Sequence, residues 1–233
     1  MRATIAVASV LGLVVTAAAV PPLALPSQVP AAEREKLQKI AQGSFVSTRV
    51  AQGPYVARED IWEYLLDHPE FASHVTRALK VASYRIWHEG DDLWLDDGWG
   101  SRGQFKIVYA EPGKRVLWAH GRFDPPLLPS IRGQGVGMLE YSFQPSAGGH
   151  SVVATAVTGY LQVDNRALNA LGRVAAPFVQ SKADREAGLL LRTFARVMRA
   201  IEESPASVYE RVSARPDVPR RELEQFRQLL RLP

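Results

Sequence analysis

The residues that could carry chemistry are few and scattered. Histidines stand at His68, His74, His88, His120 and His150. His68 and His74 are six apart, whereas a helical metal pair needs the one-face spacing of His-Glu-x-x-His. Asp91, Asp92, Asp96 and Asp97 lack the alternating ligands and distal glutamate of a calcium loop and read as solvated turns. Neither set predicts a metal. Gly100-Ser101-Arg102-Gly103 has the wrong spacing for a nucleophile elbow. Gly133, Gly135 and Gly137 form a Gly-x-Gly-x-Gly run, but no helix opens after it, so it is not a dinucleotide fingerprint and no cofactor is expected. An enzyme would therefore depend on a polar group inside an apolar pocket. Arg85, His88, His120 and Arg122 lie on strand-like segments where alternation turns some side chains inward, and a buried histidine there could act as acid or base. The other reading is polar residues on the outside of a curved sheet.

The elements that must position these residues follow from periodicity. A helix is predicted from Asn165 to Ser204, best defined from Lys182 to Glu203. Leu190, Phe194, Val197 and Ile201 recur at steps of four, three and four, with Arg192, Arg196, Arg199 and Glu203 opposite. Before it, strand-like segments run at 79–88, 93–96, 103–110, 115–123, 137–143 and 151–163. Turn chemistry separates them, including Gly90-Asp91-Asp92, Asp96-Asp97-Gly98 and Glu111-Pro112-Gly113-Lys114. Connections this short imply an antiparallel meander. Earlier still come a short helix over 33–41, a first strand over 43–51 ended by Gly53-Pro54, and two short helices, 57–66 and 70–77, parted by Pro69. The segment from Asp124 to Arg132 holds Pro125, Pro126 and Pro129 and is expected to form a mobile rim rather than a central strand.

The chain has 233 residues, 46% of them hydrophobic and 22% charged, the composition of an ordinary globular protein. Its +4 charge comes from arginines spread over many segments. Without basic runs or interleaved aromatics no nucleic-acid partner is expected. Cysteine is absent, which excludes disulfides and thiolate chemistry. Arg2 precedes an uncharged apolar run from Ala3 to Val20 that ends in Ala17-Ala18-Ala19. This predicts a cleaved signal over 1–19 and an exported, periplasmic protein. An uncleaved N-terminal membrane anchor is the alternative. Residues 20–42 read as a Pro-rich linker with a short helix, 43–204 as the folded domain, and 205–233 as an Arg-rich tail ending in a helix over 221–232. The stripe of Leu223, Phe226, Leu229 and Leu230 leaves that tail two roles, peripheral contact with anionic lipid or packing back on the domain.

One strand, a helix pair split at Asp67-His68-Pro69-Glu70-Phe71, six antiparallel strands and a long terminal helix resemble the START-like superfamily, with its Bet v 1 allergens, lipid-transfer domains and polyketide cyclase/dehydratases. The resemblance covers about Gly43 to Ser204. It implies an α+β helix-grip fold, a curved antiparallel sheet of about seven strands gripping a hydrophobic ligand against the long C-terminal helix. The sequence adds its own argument for a cavity. Gly133, Gly135 and Gly137 share a strand face with Leu139 and Tyr141, and three missing side chains on a core face leave room; they serve equally well to let the strand curve.

The candidate ligand-binding residues are therefore Gly135, Gly137, Leu139 and Tyr141 on that strand, with Phe105, Ile107 and Tyr109 on one face of a second. Tyr84, Ile86 and Leu117 come from strands whose two faces are both apolar. Leu190, Phe194, Val197 and Met198 come from the helix. Trp94 and Trp99 flank an Asp-Asp-Gly turn, which puts one of them at a cavity mouth or a membrane interface. Three functions stay open: an exported carrier or sensor of a lipid, sterol-like or polycyclic molecule; a cyclase or dehydratase; and a cavity-less interaction module. Oligomeric state is not legible.

Overall fold

The computed structural model describes residues 20–125, 130–146, 148, 150–164 and 175–232. The signal-like segment and residues 126–129 of the proline-rich rim lie outside these, and the rim's last two residues open β6. The elements are α1 (Ala31–Gln42), β1 (Val46–Ala57), α2 (Glu59–Asp67), α3 (Pro69–Ala78), β2 (Arg85–Glu89), β3 (Asp92–Asp96), β4 (Ser101–Glu111), β5 (Lys114–Phe123), β6 (Ile131–Pro145), β7 (Ser151–Val163), α4 (Ala175–Glu203), α5 (Pro205–Ser213) and α6 (Arg220–Leu229). The strands form one antiparallel sheet in the order β1-β7-β6-β5-β4-β3-β2, a six-strand meander with β1 added beside β7. With α4 packed across β1 and β7, this is a helix-grip-like α+β arrangement.

Local chemistry explains where the elements depart from the sequence reading. β1 does not stop at Gly53-Pro54. It carries the pair as a bulge, its register shifting between Gln52 and Tyr55, and tolerates the proline because β1 is an edge strand. β2 starts only at Arg85 because α3 runs to Ala78, and Lys80 then turns the chain at φ 57°. The amide of Val81 donates back to the Thr76 carbonyl there, a left-handed helix stop. Pro69 opens α3 at its first helical position, where no amide is needed. The part of the long helix expected over 165–174 lies outside the described residues.

The concave face of the sheet carries the main core. Trp62 of α2 sits 4.4 Å from Tyr141 and 5.6 Å from both Phe143 and Phe194, and its indole N–H donates to the Tyr55 hydroxyl at 2.9 Å. Leu191, Met198 and Ile201 of α4 complete this layer. The C-terminal segment belongs to it: Val208, Val212, Val218, Phe226 and Leu230 are buried in the same cluster, and Phe226 meets Phe71 edge-on at 5.3 Å. Of the tail's two expected roles, its apolar stripe takes the second.

The convex face is covered too. Val29, Leu37 and Ile40 of the N-terminal segment pack on Val116, Val136, Met138 and Tyr160, and the Lys36 ammonium lies 3.5 Å above the Trp118 ring. What reads as a linker and short helix is the cover of the sheet's back. Among the described residues no helix is long and apolar enough to cross a membrane.

Candidate functional site

A cavity of about 610 Å³ lies between the concave sheet face and α4. Its floor is Leu95 of β3, Phe105 and Ile107 of β4, Leu117 and Ala119 of β5, Gly135, Gly137 and Leu139 of β6 and Val157 of β7. Leu190 and Phe194 of α4 roof it, and Leu65 and Ala72 of the short helices, with Tyr84 and Ile86, complete the wall. The wall is apolar almost throughout.

The glycines on this face divide between the two roles open to them. A Cβ on Gly103 would stand 2.5 Å from the His120 carbonyl oxygen, and one on Gly121 2.6 Å from that of Arg102. These let neighbouring backbones approach as the sheet curves. A Cβ on Gly137 would meet nothing within 4 Å. There the missing side chain is empty space.

Of the candidate residues, Tyr84, Ile86, Phe105, Ile107, Leu117, Gly135, Gly137, Leu139, Leu190 and Phe194 stand together on the cavity wall. Tyr109 does not. A β-bulge shifts the register between Ile107 and Tyr109, and the extra residue turns Tyr109 to the convex face beside Val108 and Val116. Tyr141, Val197 and Met198 are buried in the main core and are not on the cavity wall. Of the polar strand residues considered for catalysis, His120 and Arg122 border the cavity but their side chains are engaged with protein partners, and Arg85 and His88 are exposed. His120 bonds Gln104 at 2.6 Å and touches Trp118 on the convex face, Arg122 pairs with Asp124, and His88 pairs with Glu70. Trp94 stacks on Trp87 under Arg102, while Trp99 is 70% exposed.

Both ends of the cavity are polar. At the end where β5 begins, Arg115 is only 7% exposed and holds Glu63 at 2.7 Å and Asp67 at 3.0 Å. It also donates to the Tyr141 hydroxyl and the Glu111 carbonyl. This guanidinium is spent on clamping α2 to the sheet. Burial, then the bond to Glu63, pushes the Tyr141 phenol up.

At the other end, where β3 stops and β4 starts, a chain of four groups crosses from the sheet to α4. The Tyr84 hydroxyl donates to Glu186 at 3.1 Å, and the Lys182 ammonium donates to Glu186 at 2.9 Å and to Asp97 at 3.0 Å. Asp97, read as a solvated turn residue, is 2% exposed because its carboxylate also caps the amides of Trp99 and Ser101. Sequence reasoning assigned Lys182 and Glu186 no role in the site. Their signal was present: residues 182, 186, 190 and 194 form one ridge of the helix at steps of four.

Burial works to raise the Asp97 pKa, but the bonds from Ser101, Trp99 and Lys182 outweigh it and hold it below 3.8. Burial also works to lower the Lys182 pKa, and its two carboxylate partners outweigh that and raise it. Because the folded pKa of Asp97 lies below its unfolded value, its contribution is full above about pH 4 and is lost as the pH falls through the folded value. Asp97→Asn keeps an acceptor for the two amides but loses the charge opposite Lys182. The variant is expected to melt lower than the wild type at pH 7 and to lose less stability on acidification, as thermal unfolding from pH 7 to pH 2 will show.

Fold and site together define an α+β cavity protein of helix-grip-like build. The chain matches no protein-family model and no curated protein. Among solved structures it is similar to a conserved protein from Geobacillus kaustophilus, at 15% identity and TM-score 0.42, over 68% of this chain and 97% of that one. It is also similar to norcoclaurine synthase from Thalictrum flavum, in a truncated form at 14% identity and TM-score 0.34, over 65% and 93%. The same synthase in complex with dopamine and hydroxybenzaldehyde matches at 17% and 0.38, over 68% and 90%. All three TM-scores are below 0.5, and the arrangement described here rests on this chain's own strand order and helix placement.

Proposed function

We propose that this is an exported protein that binds one hydrophobic small molecule, a lipid, sterol-like or polycyclic compound, between the sheet and α4, for carriage or sensing. The observation that carries the reading is the apolar cavity of about 610 Å³, within the range of about 300–1,000 Å³ typical of small-molecule sites. Such a wall gains from every apolar surface it takes out of water, at about 25 cal/mol per Å², and needs no reactive group. The groups that reach it fit this role. Tyr84 and Lys182 both hold their protons more tightly than usual, and both are engaged by carboxylates of the protein itself. Export rests on the sequence of residues 1–19 alone.

Native mass spectrometry of the protein purified from its own host, followed by solvent extraction, tests this reading. A stoichiometric apolar adduct is expected. A protein that arrives empty and takes up none of a panel of lipids and polycyclic compounds would overturn it.

A further inference from the structure

The two polar ends of the cavity are not equivalent. Arg115 has both terminal nitrogens committed to protein acceptors, and its unpartnered Nε is buried. Lys182 differs: of its three N–H groups two are taken by Asp97 and Glu186, and among the described residues no oxygen accepts the third. The Nζ stands 4.8 Å from the centre of the Phe123 ring, and both residues lie on the cavity wall. Glu186 has accepted one bond on each oxygen and can accept more, and the Tyr84 oxygen has so far only donated.

The charge of this cluster decides what it can receive. One ammonium stands between two carboxylates, and the Arg192 guanidinium acts on Tyr84 from the same helix, so the charges around this end of the apolar wall already balance. A carboxylate or phosphate brought there would add an uncompensated negative charge. An ammonium head could not accept the free Lys182 N–H. An uncharged hydroxyl can accept from Lys182 and donate to Glu186 at once, leaving no polar group unpaired.

Resting on the reading of the cavity as a binding site, we propose that Lys182, Glu186 and Tyr84 form a head-group site, selecting an apolar ligand that ends in an uncharged hydroxyl. The body of the ligand runs from this end along Gly137 and Leu117 toward Leu139. Free fatty acids and phospholipids are the wrong charge for this cavity, and pure hydrocarbons leave the head site unused.

Three probes that share one chain and differ only in the head test this: hexadecan-1-ol, hexadecanoic acid and hexadecane. Binding is measured at pH 7.5 by competition against an apolar fluorophore, for the wild type and for Lys182→Met, Glu186→Gln and Tyr84→Phe, each checked for wild-type circular dichroism. The wild type is expected to bind the alcohol at least about tenfold more tightly than the acid or the alkane, a difference of ~1.4 kcal/mol. Lys182→Met and Glu186→Gln are expected to abolish that preference, so that alcohol and alkane bind alike; Tyr84→Phe, the mildest change, is expected to reduce it. Uptake of all three probes without preference, tighter binding of the acid, or a preference that survives in folded Lys182→Met and Glu186→Gln would overturn the head-group site while leaving the apolar cavity reading intact. Uptake of none would overturn both.

Discussion

Gly137→Leu is expected to reduce uptake of an apolar ligand at least tenfold while leaving the fold in place. The argument begins with the backbone. Gly137 is not among the glycines with positive φ, so a side chain there costs no conformational strain, and leucine removes the entropic cost of glycine in a central strand. It continues with space, since a Cβ at this position has nothing within 4 Å. Gly137 is paired with Leu117 on one side and with Gly159 on the other, so the new side chain projects into the middle of the cavity. The volume a ligand would fill is then filled by the protein. A tenfold loss corresponds to about 1.4 kcal/mol, less than the ~1.5–3 kcal/mol for one buried leucine-sized group, so the estimate is conservative. Gly121→Leu is the contrasting variant. Its Cβ would be driven to 2.6 Å from the Arg102 carbonyl oxygen, and this protein is expected to lose its fold rather than its ligand. Titration with an apolar fluorophore, alongside thermal unfolding, separates the two. Undiminished uptake by a folded Gly137→Leu protein would mean that the cavity is not the binding site.

These two glycines also show what the sequence could and could not tell. The meander was legible because its turns are written in Gly, Asp and Pro, and the helix pair was legible because Pro69 can open a helix but not continue one. The glycine run was ambiguous for a physical reason. Curvature and emptiness both call for a missing side chain, and only the position of the neighbouring strand decides between them. Tyr109 was assigned by alternation to the face of Ile107, and alternation fails at the first inserted residue; the bulge before Tyr109 has no marker in the residues around it. Lys182 and Glu186 were passed over because charge on a helix normally means water. Here the charges answer one another and a buried aspartate from the loop after β3, a partner more than eighty residues away in the chain. The role of the C-terminal arginines was undecided for the same reason: whether a short amphipathic helix finds lipid or protein depends on a surface elsewhere in the chain.

That surface is present, and Phe226→Ala is expected to destabilise the protein by about 3–5 kcal/mol. Phe226 is 0% exposed. Its ring packs edge-on against Phe71 of α3, and around it Val208, Val212, Val218 and Leu230 are buried in the same core as Trp62 and Met198. Polar contacts fix the registration: the Tyr64 hydroxyl donates to the Glu222 carbonyl at 2.9 Å, and Arg77 pairs with Asp217 at 3.3 Å. Truncating the ring leaves a void bounded by α2, α3 and α6, which are held apart by their own helices and cannot collapse onto it. A loss of this size is a large share of the ~5–15 kcal/mol that holds a domain together, so removing residues 205–233 entirely is expected to abolish cooperative unfolding. A tail that served only as a basic arm for anionic lipid would behave in the opposite way. Its loss would leave the melting transition untouched and weaken vesicle binding alone, and equilibrium denaturation of Phe226→Ala beside vesicle sedimentation of Arg220→Ala and Arg221→Ala distinguishes the two.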